Sequence, residues 1–278
     1  MDAAEKKQLE ITACKIRMGI IEGVHSAKSG HPGGSLSIAE ILTYLYFKEM
    51  NIDPKDPKKA DRDRFVLSKG HAAPALYAAL AERGYFDKSL LTTLRHIGSI
   101  LQGHPDMKHI PGVDMSTGSL GQGISAAVGM ALSAKHFGDS FKVYAVLGDG
   151  EIEEGQVWEA AMFAGNKGLS NLTAFVDYNN LQIDGTIEEV NSAAPIDKKF
   201  EAFGWHVITI DGHSFEEIEN ALKEAETVDK PVAIIAKTVK GKGVSFMENA
   251  VGWHGSAPND EQYEQAMTEL NAALAALN

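Results

Sequence analysis

Acidic and amide side chains follow two apolar segments of this sequence, and their spacing points to a ligand site. Asp149 stands in Gly-Asp-Gly directly after the run VYAVL, and Asn179 and Asn180 follow the next apolar run, LTAFVDY. If both runs are parallel strands, their carboxyl ends meet at one sheet edge, where ligands bind in α/β folds. Carboxylate, amide and carbonyl oxygens are the ligands that Mg²⁺ prefers, often together with phosphate groups. The pattern therefore predicts a metal that bridges the protein to a diphosphate.

The diphosphate prediction depends on both segments together, since either alone would be an ordinary turn or strand end. Gly148 and Gly150 allow a ligand to approach the backbone closely, and the helix after them turns its N–H groups to the same place. Competing phosphate motifs fail: the sequence contains no GxxxxGK[ST]. GQGISA at 121–126 fits GxGxxA, but the segment before it is no apolar strand, so the dinucleotide interpretation fails.

Four histidines lie in loops rich in glycine and proline rather than on apolar helix faces: His31, His71, His104 and His254. None has the HExxH spacing of a zinc site. Imidazole can donate to phosphate or hydroxyl oxygens and can transfer protons near neutral pH. A solvated surface position is the simpler interpretation of one loop histidine, but four in such loops are candidates for an active site.

The segments around these residues predict an α/β fold with a mostly parallel sheet and helices on both faces. Helices are expected at Glu5–Glu22, Ser37–Lys48, Ala73–Arg83 and Gly121–Phe137, and from Lys142 onward strands and helices alternate. The expected strands are KVYAVLG, LTAFVDY, WHVITID and VAIIAK, with helices near Glu153–Lys167, Ile196–Phe203 and Phe215–Glu226 and a C-terminal amphipathic helix. No change in composition marks a boundary, so we expect one domain over residues 1–278.

Composition and charge exclude several classes of protein. A net charge of −12 argues against non-specific nucleic-acid binding. The sequence contains no apolar run of about twenty residues, so no membrane span is predicted. Its polar N-terminus does not resemble a signal peptide. A single cysteine, Cys14, is expected to be a buried thiol in a reducing compartment. We therefore expect a cytoplasmic protein without a membrane or nucleic-acid partner.

The sequence resembles the diphosphate-binding part of transketolases. Gly-Asp-Gly followed about thirty residues later by Asn-Asn resembles the thiamine diphosphate motif, and further segments resemble the transketolase family in the family's order. These are SGHPGGSLS (29–37), DRFVLSKGHAAPALY (63–77), GHP (103–105), STGSLGQGISAAVGMA (116–131), GDGEIEEGQVWEA (148–160) and WHGSAP (253–258). The resemblance implies the thiamine diphosphate-binding fold, with thiamine diphosphate and Mg²⁺, or Ca²⁺ or Mn²⁺ in its place, as cofactors.

By the same resemblance, residue roles carry over to matching positions. The metal ligands would be the Asp149 carboxylate, the Asn179 side chain and the Leu181 carbonyl. His31 and His254 would lie near the sugar hydroxyls whose protons move, and His104 would hold the donor's terminal hydroxyl. The implied cofactor contacts are His71, Gly118, Leu120, Gly150, Asn179, Ile183 and His254.

Several positions remain open at this point. Leu120 and Ile183 could instead be plain core residues, and Glu154 is either an interface residue or a solvated helix start. Lys69 receives no role. The lysines of KTVKGKGVSFMEN (237–249) either supply positive charge near the diphosphate or belong to a solvated loop. The other six histidines are expected to be structural or on the surface.

The resemblance implies transfer of a two-carbon ketol unit from a ketose phosphate to an aldose phosphate, as in the pentose phosphate pathway. It covers only the first part of a transketolase, so the chain is expected to be the N-terminal subunit of a split enzyme. A C-terminal subunit, with the pyrimidine-binding domain, would supply the activating glutamate in an α₂β₂ heterotetramer. The alternatives are a 2-oxoacid dehydrogenase α subunit, a ketol-transferring enzyme with other sugar specificity, and a non-catalytic cofactor-binding or regulatory module.

Overall fold

A computed structural model describes residues 1–277 and contains a five-stranded sheet in which all paired neighbours are parallel. The strands are β1 (Arg64–Leu67), β2 (Val143–Gly148), β3 (Leu172–Tyr178), β4 (His206–Asp211) and β5 (Val232–Lys237), in the spatial order β1-β2-β3-β5-β4. The prediction of a mostly parallel α/β sheet is confirmed.

Helices cover both faces of this sheet. One face packs against α1 (Ala3–Ala27), α3 (Ala39–Tyr44), α4 (Ala73–Arg83), α9 (Phe215–Ala225) and α10 (Asp260–Leu277). The other packs against α5 (Gln122–Phe137), α6 (Gly155–Lys167) and α8 (Ile196–Ala202). Two short helices, α2 (Pro32–Leu36) and α7 (Ile187–Val190), lie in the connections.

Because helices cover both faces of the sheet, apolar and polar residues do not alternate along the strands. In β2, Tyr144 and Val146 belong to the core on one face, whereas Val143, Ala145 and Leu147 belong to the core on the other. All six residues of β2 are buried. Parallel strands covered on both faces read as continuous apolar runs, because neither row of side chains meets water.

The structure corrects the prediction in several segments. β1 was not among the predicted strands, because RFVL is only four residues long and runs directly into the polar SKGH. The helix predicted from Ser37 to Lys48 is shorter as an α-helix: α3 passes into a π-helical turn, Leu45–Glu49. The first helix, predicted to end at Glu22, continues to Ala27. The other predicted helices and strands are present with small shifts at their ends. Among residues 1–277, no helix has the length and apolar character needed to cross a membrane.

Strand register brings the predicted site residues to one edge. Gly148 pairs with Asp177, so Asp149 and Asn179 leave neighbouring strands within one or two residues of the same level. Tyr178 pairs with Lys237 of β5, and Leu67 of β1 pairs with Val146 of β2. The residues that follow β1, β2, β3 and β5 therefore converge at the carboxyl edge of the sheet.

The central strand β3 should be sensitive to loss of volume. Phe175 is fully buried there, so Phe175→Ala should lower the free energy of unfolding by roughly 3–5 kcal/mol. Urea unfolding followed by circular dichroism measures this. The control is Phe137→Ala at the end of α5, where the side chain is 75% exposed and the change should stay within about 0.5 kcal/mol. Equal losses at both positions would contradict this account of the core.

Candidate active site

A cavity of about 320 Å³ opens at the carboxyl ends of the strands. It brings together every predicted site residue except His104: His31, His71, Gly118, Leu120, Asp149, Gly150, Asn179, Leu181, Ile183 and His254. His104 lies just beside it, with its ring 6.5 Å from that of His31 between centroids. A larger cavity of about 400 Å³ lies at the opposite edge of the sheet around Lys142 and Tyr144, and contains none of the predicted site residues.

Oxygen atoms from two strand ends form one wall of the cavity. The Asp149 carboxylate, 3% exposed, accepts from the backbone N–H groups of Gly150 (2.9 Å) and Asn180 (2.5 Å). The second bond joins the Gly-Asp-Gly turn to the end of β3. Asn180 takes φ = 64°, a left-handed conformation that asparagine tolerates better than most residues. Burial, together with the neighbouring Asp177, raises the pKa of Asp149 to about 7, so a cation here would compete with a proton.

The Asn179 amide is oriented by the carboxylate beneath it. Its Nδ2 donates to Asp177 Oδ2 at 3.0 Å, so its oxygen is directed elsewhere and accepts from the Leu181 N–H at 3.2 Å. Leu181 also lines the cavity, and its carbonyl accepts from Lys240 Nζ. One carboxylate, one amide oxygen and one carbonyl oxygen make a hard donor set of the kind that suits Mg²⁺. Among the described residues, no cluster of three His, Cys, Asp or Glu side chains could hold a metal.

A buried ion pair, which sequence reasoning did not find, supports this wall. Lys69 and Asp177 are 1% and 0% exposed at their side chains, and Lys69 Nζ lies 2.5 Å from Asp177 Oδ2. Lys69 also donates to the Gly34 carbonyl (2.8 Å), and Ser37 Oγ donates to Asp177 (2.7 Å). Burial would raise the pKa of Asp177, but Lys69 and the hydroxyl donors hold it below its usual value. The only sequence signal for Lys69 was its position two residues past β1, a strand that was not predicted.

Lys240 places a second ammonium group in the cavity. This side chain is 2% exposed, and Nζ donates to the Leu181 carbonyl and to His254 Nδ1, both at 2.9 Å. Burial and the nearby Lys69 lower the pKa of Lys240 to about 8, so it remains mostly charged at neutral pH. Of the two interpretations of the 237–249 segment, the buried position of Lys240 in the cavity agrees with the one that gives its lysines local positive charge.

The four predicted histidines form one cluster of neutral rings. The rings of His31, His71 and His254 lie 5.2–5.5 Å apart between centroids. Burial, with Arg95 next, lowers the pKa of His31 to about 4, and burial with Lys240 lowers that of His254 to about 3. The pKa values of His71 and His104 are also lowered, mainly by burial. Neutral imidazoles can both donate and accept hydrogen bonds, as handling of hydroxyl protons requires.

One histidine of the cavity, His31, has a ring nitrogen that forms no hydrogen bond. Its Nδ1 is buried and has no hydrogen-bond partner, although a buried polar atom is normally paired. His31 lines the cavity, so a residue of the cavity retains a hydrogen-bonding position that the chain does not use. Together with the oxygen wall and the Lys240 ammonium, this atom makes the cavity fit a metal-bound diphosphate with a polyhydroxyl substrate beside it.

The mouth of the cavity is apolar and open. Leu120 is 37% exposed and Ile183 is 64% exposed, so in this chain neither is the plain core residue that was the alternative. Gly118 takes φ = 146° and lies against His104, where a Cβ would come within 3.1 Å of the ring. Glu154, on the other side of the Gly-Asp-Gly turn, is exposed.

Glu151 is a second residue that sequence reasoning missed. Its buried carboxylate accepts from Ser68 Oγ at 2.6 Å and from the N–H groups of Gly121 and Gly148 at 3.0 Å each. It thus ties the end of β1, the start of α5 and the end of β2 together. GDGEIEEG contains three glutamates, and nothing in the sequence distinguishes Glu151, whose side chain points inward, from the other two.

The remaining histidines lie outside the cavity. His25 stacks on Tyr263, and His206 contacts Glu224 on the surface. His213 is the exception to a surface role, because it is largely buried and bonds to Glu40.

Comparison with known proteins identifies the family of this chain. The family described as "Transketolase, thiamine diphosphate binding domain" matches residues 8–273. The chain is 50% identical to the 6-deoxy-6-sulfo-D-fructose transketolase subunit SqwG of Clostridium sp. (strain MSTE9), over 94% of this chain and 96% of that protein. It is 44% identical to an apulose-4-phosphate transketolase subunit from Phocaeicola vulgatus, over 96% of this chain and 95% of that protein.

A solved structure gives the same result for the fold. The transketolase of Campylobacter jejuni superimposes with a TM-score of 0.90 at 34% identity. The match covers all of this chain and 46% of that structure, so the chain spans about half the length of the transketolase it matches.

Breaking the buried Lys69–Asp177 pair should cost stability. Asp177→Asn leaves the Lys69 ammonium without its counter-charge, and we expect the free energy of unfolding to fall by roughly 3–5 kcal/mol. The double variant Lys69→Met/Asp177→Asn should lose less than the two single changes added together, which urea unfolding of all four proteins measures. The exposed pair Lys198–Glu201 is the control, and Glu201→Gln should leave the unfolding midpoint unchanged. Additive losses at Lys69 and Asp177 would show that the pair is not coupled.

Proposed function

Since the chain belongs to the transketolase family through its thiamine diphosphate-binding domain, we propose that it is the N-terminal subunit of a two-chain transketolase. The reaction is transfer of a two-carbon ketol unit from a ketose phosphate to an aldose phosphate. The observation that carries the proposal is the single cavity that joins the Asp149, Asn179 and Leu181 oxygens to Lys240 and the histidine cluster. Residues 1–278 would form a single domain of this subunit.

The inner wall of the cavity would hold the cofactor. Asp149, Asn179 and Leu181 would bind Mg²⁺, and the backbone at Gly150 with His71, His254 and Lys240 would contact the diphosphate. The open apolar mouth supports contact of Leu120 and Ile183 with the cofactor's rings beside Gly118. When bound, the thiazolium ring supplies the chemistry that breaks and forms carbon–carbon bonds beside a carbonyl.

The histidines would act on the sugar. His31 has an unpartnered buried Nδ1, which makes it a candidate to take or return a hydroxyl proton. His254 accepts from Lys240 at Nδ1, so its proton is on Nε2 and can be donated to a substrate oxygen. His104, beside the cavity, would hold the donor's terminal hydroxyl. General acid–base groups of this kind typically contribute roughly 10²–10⁴-fold to a rate.

A separate chain would complete the site. The two subunit relatives of matching length support this, as do the exposed apolar residues at the cavity mouth, which need a cover. The partner would contribute the pyrimidine-binding domain and the activating glutamate, and the assembly would be an α₂β₂ heterotetramer with Glu154 near an interface. We also propose that the protein acts in the pentose phosphate pathway and lies in the cytoplasm, where its single buried thiol stays reduced.

The donor sugar has a second candidate. The 50% identical relative is named for 6-deoxy-6-sulfo-D-fructose, so a sulfonated ketose is an alternative to a ketose phosphate. Both donors have the same ketol end, which is the part that the histidines would contact.

Ketol transfer should need two chains and His104. We expect no turnover from this chain alone with Mg²⁺ and thiamine diphosphate, and turnover after co-expression with a C-terminal transketolase subunit encoded nearby. In the complex, His104→Ala should lower kcat/KM roughly hundredfold, with thiamine diphosphate affinity nearly unchanged by calorimetry. His109→Ala, a surface histidine paired with Asp106, is the matched control.

Three outcomes would count against this function. Full turnover by the isolated chain would refute the two-chain arrangement. Normal turnover by His104→Ala would favour a binding module without a catalytic role. Failure of the complex to take up thiamine diphosphate would refute the cofactor assignment.

A further inference from the structure

Lys240 lies in a segment whose backbone is fixed at several positions by different parts of the protein. The segment, residues 238–242, directly follows β5, and we call it the β5 loop. Thr238 N–H donates to the Tyr178 carbonyl (3.2 Å), and Gly241 N–H donates to the Gly33 carbonyl (2.9 Å). The β5 loop is thus held at the end of β3 and at the start of α2.

Two further anchors flank Lys240 and come from side chains outside the cavity. The Val239 N–H donates to His213 Nε2 at 2.9 Å, and the Lys242 carbonyl accepts from Arg17 Nε at 2.9 Å. Arg17 belongs to α1, and His213 lies between β4 and α9. Neither side chain lines the cavity.

Glu40 of α3 joins these two anchors into one network. Its Oε2 accepts from Arg17 Nη2 at 2.7 Å and from His213 Nδ1 at 2.9 Å. The three side chains are only 8–14% exposed. Burial would raise the pKa of Glu40, but Arg17 and His213 hold it at about 2. Arg17 and Glu40 therefore form an ion pair at neutral pH, and the network makes four hydrogen bonds, two at Glu40 and two to the β5 loop.

The hydrogen bonds define which nitrogen of His213 carries the proton. A backbone N–H can only donate, so Nε2 must be the acceptor from Val239, and the proton then lies on Nδ1, facing Glu40. The ring is a directional link with one donor and one acceptor. Neither end can be reversed while both bonds persist.

Close packing leaves the β5 loop little freedom to shift. The stem of Lys240 lies against Gly33, where a Cβ would come within 3.0 Å of Lys240 Cγ. Arg17 passes Gly243 so closely that a Cβ there would lie 2.9 Å from Arg17 Cδ.

We propose that Arg17, Glu40 and His213 are positioning residues that fix the Lys240 ammonium in the cavity, so that affinity for an anionic ligand depends on side chains that never touch it. This rests on the proposed function, in which Lys240 contacts the cofactor's diphosphate. A network that only joined α1 and α3 would stabilise the fold without any effect specific to Lys240.

Two substitutions at His213 separate its two bonds. In His213→Asn the amide reaches the position of Nδ1, so it can still donate to Glu40 but cannot accept from Val239. In His213→Gln the amide reaches the position of Nε2, so its oxygen can still accept from Val239. We expect His213→Asn to behave as a loosened β5 loop. His213→Gln gives up the bond to Glu40 but should stay close to the wild type, because it keeps the anchor at Val239 while Glu40 still orients Arg17 at Lys242.

Hydrogen exchange tests the positioning without any ligand. Amides 239–242 of the full chain should exchange at least roughly tenfold faster in His213→Asn than in the wild type, because the Val239 bond is lost. In His213→Gln they should exchange at nearly the wild-type rate. Thermal melts show whether His213→Asn is folded. If it is not, Arg17→Lys takes its place, because a lysine ammonium cannot contact Glu40 and the Lys242 carbonyl at once as the Arg17 guanidinium does. Wild-type exchange in the variant that removes the anchor would overturn the proposal.

Cofactor affinity tests the consequence. Calorimetry of the two-chain complex with Mg²⁺ and thiamine diphosphate should show affinity roughly tenfold weaker for His213→Asn, as for the loss of supporting contacts around a metal site, and nearly unchanged for His213→Gln. In a Lys240→Met background, adding His213→Asn should cause no further loss. A further tenfold loss, or normal affinity in His213→Asn, would overturn the proposal. If the wild-type complex itself takes up no thiamine diphosphate, the proposed function fails, whereas the exchange result still decides whether His213 fixes the loop.

Discussion

The arrangement of the cavity depends on one buried ion pair, that of Lys69 and Asp177. Asp177 lies near the end of the central strand β3 with no exposed surface, and four groups donate to its two oxygens: Lys69 Nζ, Ser37 Oγ, Asn179 Nδ2 and Thr238 Oγ1. A charge buried this completely is tolerated only when its bonds are satisfied. The loops after β1 and β5 and the end of α2 must therefore all close around the end of β3, and together they form the floor of the cavity.

The same pair explains how an acidic protein can present an anion site. The chain carries a net charge of −12, yet two buried lysines, Lys69 and Lys240, line the cavity near Asp149 and Asp177. Lys69 is neutralised by Asp177, so Lys240 remains as the ammonium that faces the cavity. Burial and the nearby Lys69 lower the pKa of Lys240, so an anion bound beside Lys240 would stabilise its charged form. Local placement of charge, rather than the total, decides what the cavity attracts.

The sequence predicted the parts of the site that have a local signature. Asp149 and Asn179 directly follow apolar strands, and the four histidines lie in glycine-containing loops, so type and position together identify them. Lys69, Glu151 and His213 could not be found this way. Their function depends on where other strands end: Lys69 matters because Asp177 is opposite, and Glu151 because Gly121 and Gly148 point N–H groups at it. Long-range pairing of this kind leaves no periodic or spacing pattern in a single sequence. β1 was missed for a related reason, since four residues are too few to show a strand.

The cavity thus has two regions with different tolerance to change. On the inner wall, Asp149, Asn179, Lys69 and Lys240 are each less than 10% exposed and bonded to groups from other elements, so any replacement leaves a buried partner unpaired. At the mouth, the side chains of Leu120 and Ile183 are exposed, and replacement there mainly changes what they contact outside the chain. The inner wall is suited to hold the part of a ligand that does not vary, because several bonds fix the position of each of its side chains. A part that differs among substrates has to be selected at the mouth and by whatever surface closes over it.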